Sequence, residues 1–504
     1  MKVWLIELHS LDPANQPHVL RLAVGAGFQN RPTDNPPAVW WAPDVLERLS
    51  FESSLFDQAT TYGASRIGWG SLQLVNPDGR YDYLLRHAID GQPLQMWLAD
   101  TEQPFSAAVP MFRGRMERLR ADAEVLTVEM LDRLVDLDKP LCAEKFVGTD
   151  QAPVGVDGRE DLKDKRKQRI YGTALNVSPL LVNPSKGIWL AAGNLVSLSA
   201  VREKGVPLLP GAEASSQADL EATAPPDGRF RLWAGPKGVF LRLSGDPKQP
   251  TFDAASVARV GSLIRQVLMD AGVPAADIST ADVAALDARC PGTLGIVVTD
   301  DATALDTINQ LAASVGAWVT VDRSDQFRLG VLDVPSDPVM TISPAEIVRG
   351  SLRIISSGND DRGLPASEIE LEFDRNWTVQ SDLETSAGAT MQAWAKLASR
   401  KETVKIAAVE ARHKLAKPLQ QQTLLRQRWD AEAEAFRRSQ LYGVLRHTYE
   451  LEAQLDAAQI IALQLGGTVK LKHPRFDLAD GKLVRVIGMS PDLQAGRLKL
   501  KLWG

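Results

Sequence analysis

Residues 111–132 read MFRGRMERLRADAEVLTVEMLD. Phe112, Gly114 and Met116 alternate with Arg113, Arg115 and Glu117. After the polar break RADAE (120–124), Leu126, Val128 and Met130 alternate with Thr127 and Glu129. A period of two sends successive side chains to opposite faces of an extended chain. Two such runs around a short break predict a β-hairpin with one buried and one wetted face. Working outward from it, residues 1–144 read as β-rich. Upstream, GSLQLVNPDGRYDYLL (70–85) reads as a strand, an Asn-Pro-Asp-Gly turn and a short helix. QNRPTDNPPAVWWAP (29–43) carries four prolines and reads as an exposed loop. The opening MKVWLIELHS reads as a first strand and not as a signal peptide.

The pattern changes along the chain. GTDQAPVGVDGREDLKDKRKQR (148–169) is polar, glycine-containing and charged, which marks a boundary. A β-rich middle domain, 145–250, follows, with strands expected around Ile188–Leu195 and Phe230–Trp233. From residue 251 the spacing turns helical. Val257, Val260, Ile264, Val267 and Leu268 share a face that stops at Ala271-Gly272. A second helix is expected in 299–316, capped by Asp300 or Asp301, with Leu305, Ile308, Leu311 and Val315 on one face and Gly316 as its stop. With a hairpin in 317–332, this makes a small α+β domain, 251–344. Residues 345–504 return to β, from SEIELEFDRNW (367–377) to RLKLKLWG (497–504). Their one expected helix, in 423–443, places Leu425, Trp429, Ala433 and Phe436 on a shared face. The fold class is α+β, mainly β, in several domains.

Chemistry is sparse by comparison. The 57 basic and 63 acidic residues leave a net charge of -6, against a general nucleic-acid coat. Cys142 and Cys290 form no CxxC pair, which excludes a disulfide scaffold or zinc ribbon and fits a reducing cytoplasm. No apolar run approaches the ~18 residues of a membrane span, so no stable membrane insertion is expected. The six histidines are scattered with no HExxH, and neither a GxSxG elbow nor a GxxxxGK[ST] loop occurs. No catalytic, cofactor-binding or metal-ligating residue is assigned, and no cofactor is expected. Glu368, Glu370, Glu372 and Asp374 alternate with Ile369, Leu371 and Phe373, so a strand here would carry four carboxylates on one side. Three readings stay open for them: a solvated face, the wall of an acidic channel, or a carboxylate site. The basic run KDKRKQR (163–169) reads as a solvated loop. In RIYGTALNVSPLLVNPS (169–185), Gly172 permits close backbone approach and Asn183-Pro184 favours a turn. Tyr171, Gly172, Asn176 and Asn183 are therefore read as domain-junction residues and not as an active site.

Taken in order, these segments resemble the baseplate hub, or tail-tip hub, proteins of long-tailed, siphophage-type bacteriophages. The stretches that carry the resemblance are 70–85, the 111–132 hairpin with its continuation, 169–185, the α+β module, SEIELEFDRNW and the C-terminal GTVKLKHPRFDLADGKLVRVIGMSPDLQAGRLKLKLWG. The resemblance implies a non-enzymatic virion protein, assembled in the host cytoplasm and placed at the tail tip. It implies a homotrimer in which two tube-like β-barrel domains per chain, 1–144 and 345–504, continue a hexameric tail tube. The implied partners are the distal tail protein, central fibre or tip proteins and the tape-measure protein, with genomic DNA passing through during ejection. Under it the acidic stripe becomes a candidate channel lining. The alternatives are a tail-associated cell-wall hydrolase, which needs paired acids or an activated nucleophile, and a host carbohydrate-binding protein, for which the tryptophans are the only support.

Overall fold

The computed structural model describes residues 1–56, 61, 65–149, 155–356, 364–492 and 497–504. Strands take 41% of the chain and helices 20%, so the protein is mainly β. The 111–132 hairpin forms as strands Val109–Ala121 and Val125–Asp132, with Met116 facing Met130. Its apolar rows are buried: Phe112, Met116, Leu126, Val128 and Met130 join Ile6, Leu22, Leu72 and Leu94 in one core.

That hairpin belongs to a 14-stranded sheet. Hydrogen bonds run from Pro17–Val24 through Lys2–Leu11, Pro93–Asp100, the hairpin and Trp69–Val75 to Trp40–Ser54. Pro17–Val24 also pairs in parallel with Trp40–Ser54, Leu22 with Ala42 and Val24 with Val45, so this path returns on itself. Trp40–Ser54 has a register shift between Leu46 and Ser50. Its far end leaves the cycle and pairs with Leu478–Asp492, Gly488 opposite Ser54 and Met489 opposite Ser53. The sheet then continues through Arg497–Trp503 and His447–Ala453 to Arg353–Ser356. The two β regions, expected as separate barrels, thus share one sheet. Among the described residues the C-terminal strands form an open arrangement over Tyr449, Val469, Val484, Leu500 and Leu502. No local pattern encodes a pairing between positions this far apart.

The middle region packs a four-stranded sheet, including Ser197–Glu203 and Pro250–Ala255, against a five-stranded one, including Ile188–Ala192 and Gly238–Leu243. Val201, Phe252, Val239 and Leu241 meet between them, while Ile188, Leu190 and Phe240 cover Phe146 and Leu220 on the other side. Both faces of the five-stranded sheet are therefore buried, which explains its apolar runs.

Helices Val260–Asp270 and Ala304–Ser314 bury the expected faces, Val260, Ile264, Val267 and Leu268 on one, Leu305, Ile308 and Leu311 on the other. Val257 precedes its helix and is 90% exposed. The second helix is capped by Thr303, in a capping box with Asp306, and not by Asp300 or Asp301. A third helix, Thr280–Arg289, is too weakly amphipathic to stand out in the sequence pattern.

Three further expectations are corrected. The proline-rich 29–43 segment is not a plain exposed loop: Phe28 and Gln29 pair with Trp41 and Trp40, and Trp41 donates its indole N–H to buried Asn30 at 2.7 Å. The basic run is only partly solvated, since Arg166 reaches Asp301 at 2.6 Å and Lys167 is buried beside Glu144. The helix Arg428–Tyr442 is turned away from its expected face. It buries Ala431, Glu434, Ala435 and Arg438, while Trp429 and Phe436 are 65% and 60% exposed.

Candidate functional site at the domain junctions

The stretch 169–185 forms three short strands that touch three neighbours. Arg169–Gly172 pairs with Gly295–Val298 of the α+β domain, Gly172 opposite Gly295. Gly172 has φ +76°, and a Cβ there would stand 2.2 Å from the Leu294 carbonyl oxygen. Only glycine meets both conditions. Tyr171 is buried and donates its hydroxyl to Asp270 at 2.7 Å. Burial and that carboxylate push its phenol pKa up.

Asn176 is the polar centre of the junction. It has no exposure and a left-handed backbone, φ 54°. Its backbone N–H donates to Asp253, which Arg202 clamps at 2.8 and 2.6 Å. Its side-chain nitrogen faces Asn376, Thr378 and Gln380 at 3.0, 2.6 and 3.1 Å. A buried amide donor that finds several acceptors fixes position strongly, because leaving them unmade costs desolvation. Residues from the C-terminal part are thus strapped across the middle sheet, and Lys204 extends the strap to Asp382 at 3.1 Å. Asn183 acts locally: its oxygen accepts from Ser185 and from the Lys186 N–H, closing the turn at Pro184.

The acidic stripe is divided by the structure. Glu368–Phe373 is the central strand of a three-stranded sheet, with Ile369, Leu371 and Phe373 buried and Glu368, Glu370 and Glu372 half-buried on the other face. The adjacent strand Arg400–Lys405 sets Lys405 opposite Glu368 and Lys401 opposite Glu372, and Lys401 bonds Glu370 at 2.6 Å. Asp374 lies past the strand end and leaves the stripe. Its backbone turns left-handed (φ 54°), its side chain is 3% exposed, and it pairs with Arg426 and Arg400 and accepts from the Trp394 indole. The expectation of four carboxylates on one face is corrected to three with lysine neighbours, plus one buried ion-pair hub.

Two more charged clusters tie parts together, and sequence reasoning missed both. Arg133, 8% exposed, leaves the 111–132 hairpin to pair with Asp277 at 2.7 Å and Asp325 at 3.2 Å of the α+β domain. On the helix Arg428–Tyr442, Glu434 binds Arg437 and Arg438 at 2.7 and 2.6 Å. Arg438 and Arg437 donate to Ala313 O and Val315 O, the carbonyl end of helix Ala304–Ser314. Guanidinium groups at a helix C-terminus satisfy its orphan carbonyls and its dipole, which is why this helix faces inward with its polar side.

A histidine cluster also went unread: the rings of His18, Tyr83 and His87 lie 5.2–5.3 Å apart, and Ser10 Oγ sits 2.9 Å from His87 Nδ1. Ser10 is 4% exposed, and among the described residues no carboxylate hydrogen-bonds His87, so the pair lacks the orienting group of a nucleophile–base arrangement. Among the described residues, no three His, Cys, Asp or Glu side chains are grouped to hold a metal, and no helix is long and apolar enough to cross a membrane. Cys142 and Cys290 are both buried free thiols.

No protein-family model matches the chain, and no curated protein matches it. Among solved structures it is similar to a tail protein from Neisseria meningitidis MC58 (TM-score 0.44, 10% identity, 100% of this chain and 96% of that one). It is also similar to a tail protein of prophage MuSo2 from Shewanella oneidensis (0.40, 10% identity, 99% and 96%) and to prophage tail protein gp18 from Listeria monocytogenes EGD-e (0.40, 7% identity, 100% and 94%). Likenesses at this level leave function to be argued from the chain's own residues.

Proposed function

We propose that this chain is a structural subunit of a bacteriophage tail, the trimeric hub at the tip of a siphophage-type tail. The observation that carries the reading is the pairing of Gly488 and Met489 with Ser54 and Ser53, which joins strands from both ends of the chain in one sheet. A frame in which the N- and C-terminal β regions share one sheet, with its other parts tied to it by buried ion pairs, suits a subunit that holds a ring under load. In this reading regions 1–144 and 345–504 act as two tube-like units, so three copies match a hexameric tube. Regions 145–250 and 251–344 are carried at the junctions centred on Asn176, Arg133 and Glu434. The distal tail protein lies above and the central fibre or tip below, and the tape-measure protein and then DNA occupy the lumen. Glu368, Glu370 and Glu372 are the candidates for an acidic stretch of its wall, their field reduced by Lys401 and Lys405.

The test is co-expression with the products of the flanking genes, followed by native mass measurement and electron microscopy. Three copies in a ring continuous with a tube are expected. A chain that stays monomeric beside a distal tail protein, or that clears peptidoglycan in a zymogram, overturns the reading.

A further inference from the structure

A partly open cavity of about 290 Å³ lies between the C-terminal end of helix Ala304–Ser314 and the end of strand Glu368–Phe373. Its wall holds one charge of each sign, Glu372 and Arg375, and the rest of its lining is neutral. Three positions apart in an extended chain, two side chains point to opposite faces. Here the left-handed backbone of Asp374, φ 54°, anchored by the pairs with Arg426 and Arg400, turns the chain so that both line one cavity. Among the described residues neither charge has an ion-pair partner. Lys401, opposite Glu372, is bound to Glu370 at 2.6 Å, and Arg400 and Arg426 are taken by Asp374. One Glu372 oxygen accepts from Ser399 Oγ at 2.9 Å, and the other is unbonded among the described residues. Arg375 stacks on Trp377, its guanidinium carbon 4.1 Å from the ring centre. Stacking fixes the guanidinium plane and leaves its N–H edge for a planar acceptor. Arg375 is exposed and Glu372 half-buried, so a solute reaches both.

We propose that this cavity binds a small α-amino acid with a short aliphatic side chain, its carboxylate on Arg375 and its ammonium group on Glu372. A guanidinium edge takes a carboxylate through two parallel N–H bonds. The unbonded oxygen of Glu372 accepts from an ammonium group. A purely anionic solute meets the charge of Glu372 and a purely cationic one that of Arg375, so repulsion selects a molecule carrying both signs. The volume stands at the lower edge of the roughly 300–1,000 Å³ usual for drug-sized ligands, which suits a smaller guest. Ala313, Ala398 and Leu424 supply the apolar part of the wall that a short aliphatic side chain covers. The proposal does not rest on the tail-hub reading.

L-alanine titrated into the purified full chain tests it, with acetate and methylammonium as single-charge controls, each read by saturation-transfer NMR. L-alanine is expected to bind with a Kd on the order of 1 mM. Each control should bind at least about tenfold more weakly, because it leaves one charge-assisted contact unmade. Glu372→Gln and Arg375→Gln should each weaken L-alanine about tenfold while leaving Tm within about 2 °C of wild type. Should either variant fail to fold, the wild-type comparison of the three probes still decides. No signal with L-alanine, acetate bound as tightly as L-alanine, or a folded Glu372→Gln with unchanged affinity each overturns the proposal.

Discussion

The Asn176 side-chain nitrogen donates to the Asn376 side-chain oxygen at 3.0 Å, across 200 positions of sequence. That bond and its neighbours at Thr378 and Gln380 hold the C-terminal strap on the middle sheet. Asn176→Gly removes the side chain while tolerating the left-handed backbone, and should cost about 1–3 kcal/mol. Asn176→Ala should cost about 1 kcal/mol more, because alanine resists φ 54°. Urea unfolding gives both numbers, and a glycine variant as stable as wild type would remove Asn176 from its central role.

Gly172→Ala should lower stability by about 2 kcal/mol or more, since the added carbon meets the Leu294 carbonyl at 2.2 Å and the backbone is left-handed. The Gly172–Gly295 strand pairing should loosen with it, seen as faster amide exchange over 169–172 and 295–298. Unchanged exchange there would argue that the close approach is relaxed elsewhere.

Asp132 links stability to pH. Burial pushes its pKa up to about 7 from an ordinary 3.8, against the lowering effect of the Gly68 and Leu134 N–H groups. Between those values the folded protein keeps a proton that the unfolded chain has released. The stability this group contributes is present below pH 3.8 and is lost as pH rises to about 7, at up to about 1.4 kcal/mol per unit. Asp132→Asn should flatten that slope relative to wild type in thermal melts across the window. Parallel slopes for the two proteins would exclude Asp132 as the source.

Breaking one side of the Glu434–Arg438 pair leaves a buried charge short of its nearest counter-charge. Glu434→Gln or Arg438→Met should each cost about 3–5 kcal/mol, while combining Glu434→Leu with Arg438→Met in one chain should recover a large part of the loss. The pair also works on a helix end, so Arg438→Met should expose amides near Ala313 to exchange. Additive single costs would show that the two side chains do not act together.

The orientation of helix Arg428–Tyr442 is open to a direct comparison. Trp429→Ser should change the stability of the isolated chain by less than about 0.5 kcal/mol, whereas Ala435→Leu should cost about 1–3 kcal/mol by overpacking. The reverse ranking would restore the face read from the sequence.

That helix shows where reading the sequence stops. Leu425, Trp429, Ala433 and Phe436 have helical spacing, but the inward face carries Arg438 and Arg437, which donate to the Ala313 and Val315 carbonyls that only a folded neighbour presents. The candidate junction was legible in part. Gly172 and Asn183 announced tight backbone geometry, whereas the partners of Asn176 lie on segments that no spacing rule connects to it. The acidic stripe was legible as a strand, yet its lysine neighbours and the burial of Asp374 were not.

By itself the sequence determined what local physics controls. The period-two rows of Phe112, Met116, Leu126, Val128 and Met130 specified a hairpin and its buried face, and the 3.6-residue rows of Ile264 and Ile308 specified their helices, because each periodicity is fixed by backbone geometry. Tertiary structure alone decided that Ser54 meets Gly488, that Arg133 crosses to Asp277, and that Trp429 faces outward while Arg438 faces inward. Those choices depend on which unsatisfied polar groups and strand edges come together once the chain is folded, and on the free energy of leaving them unpaired.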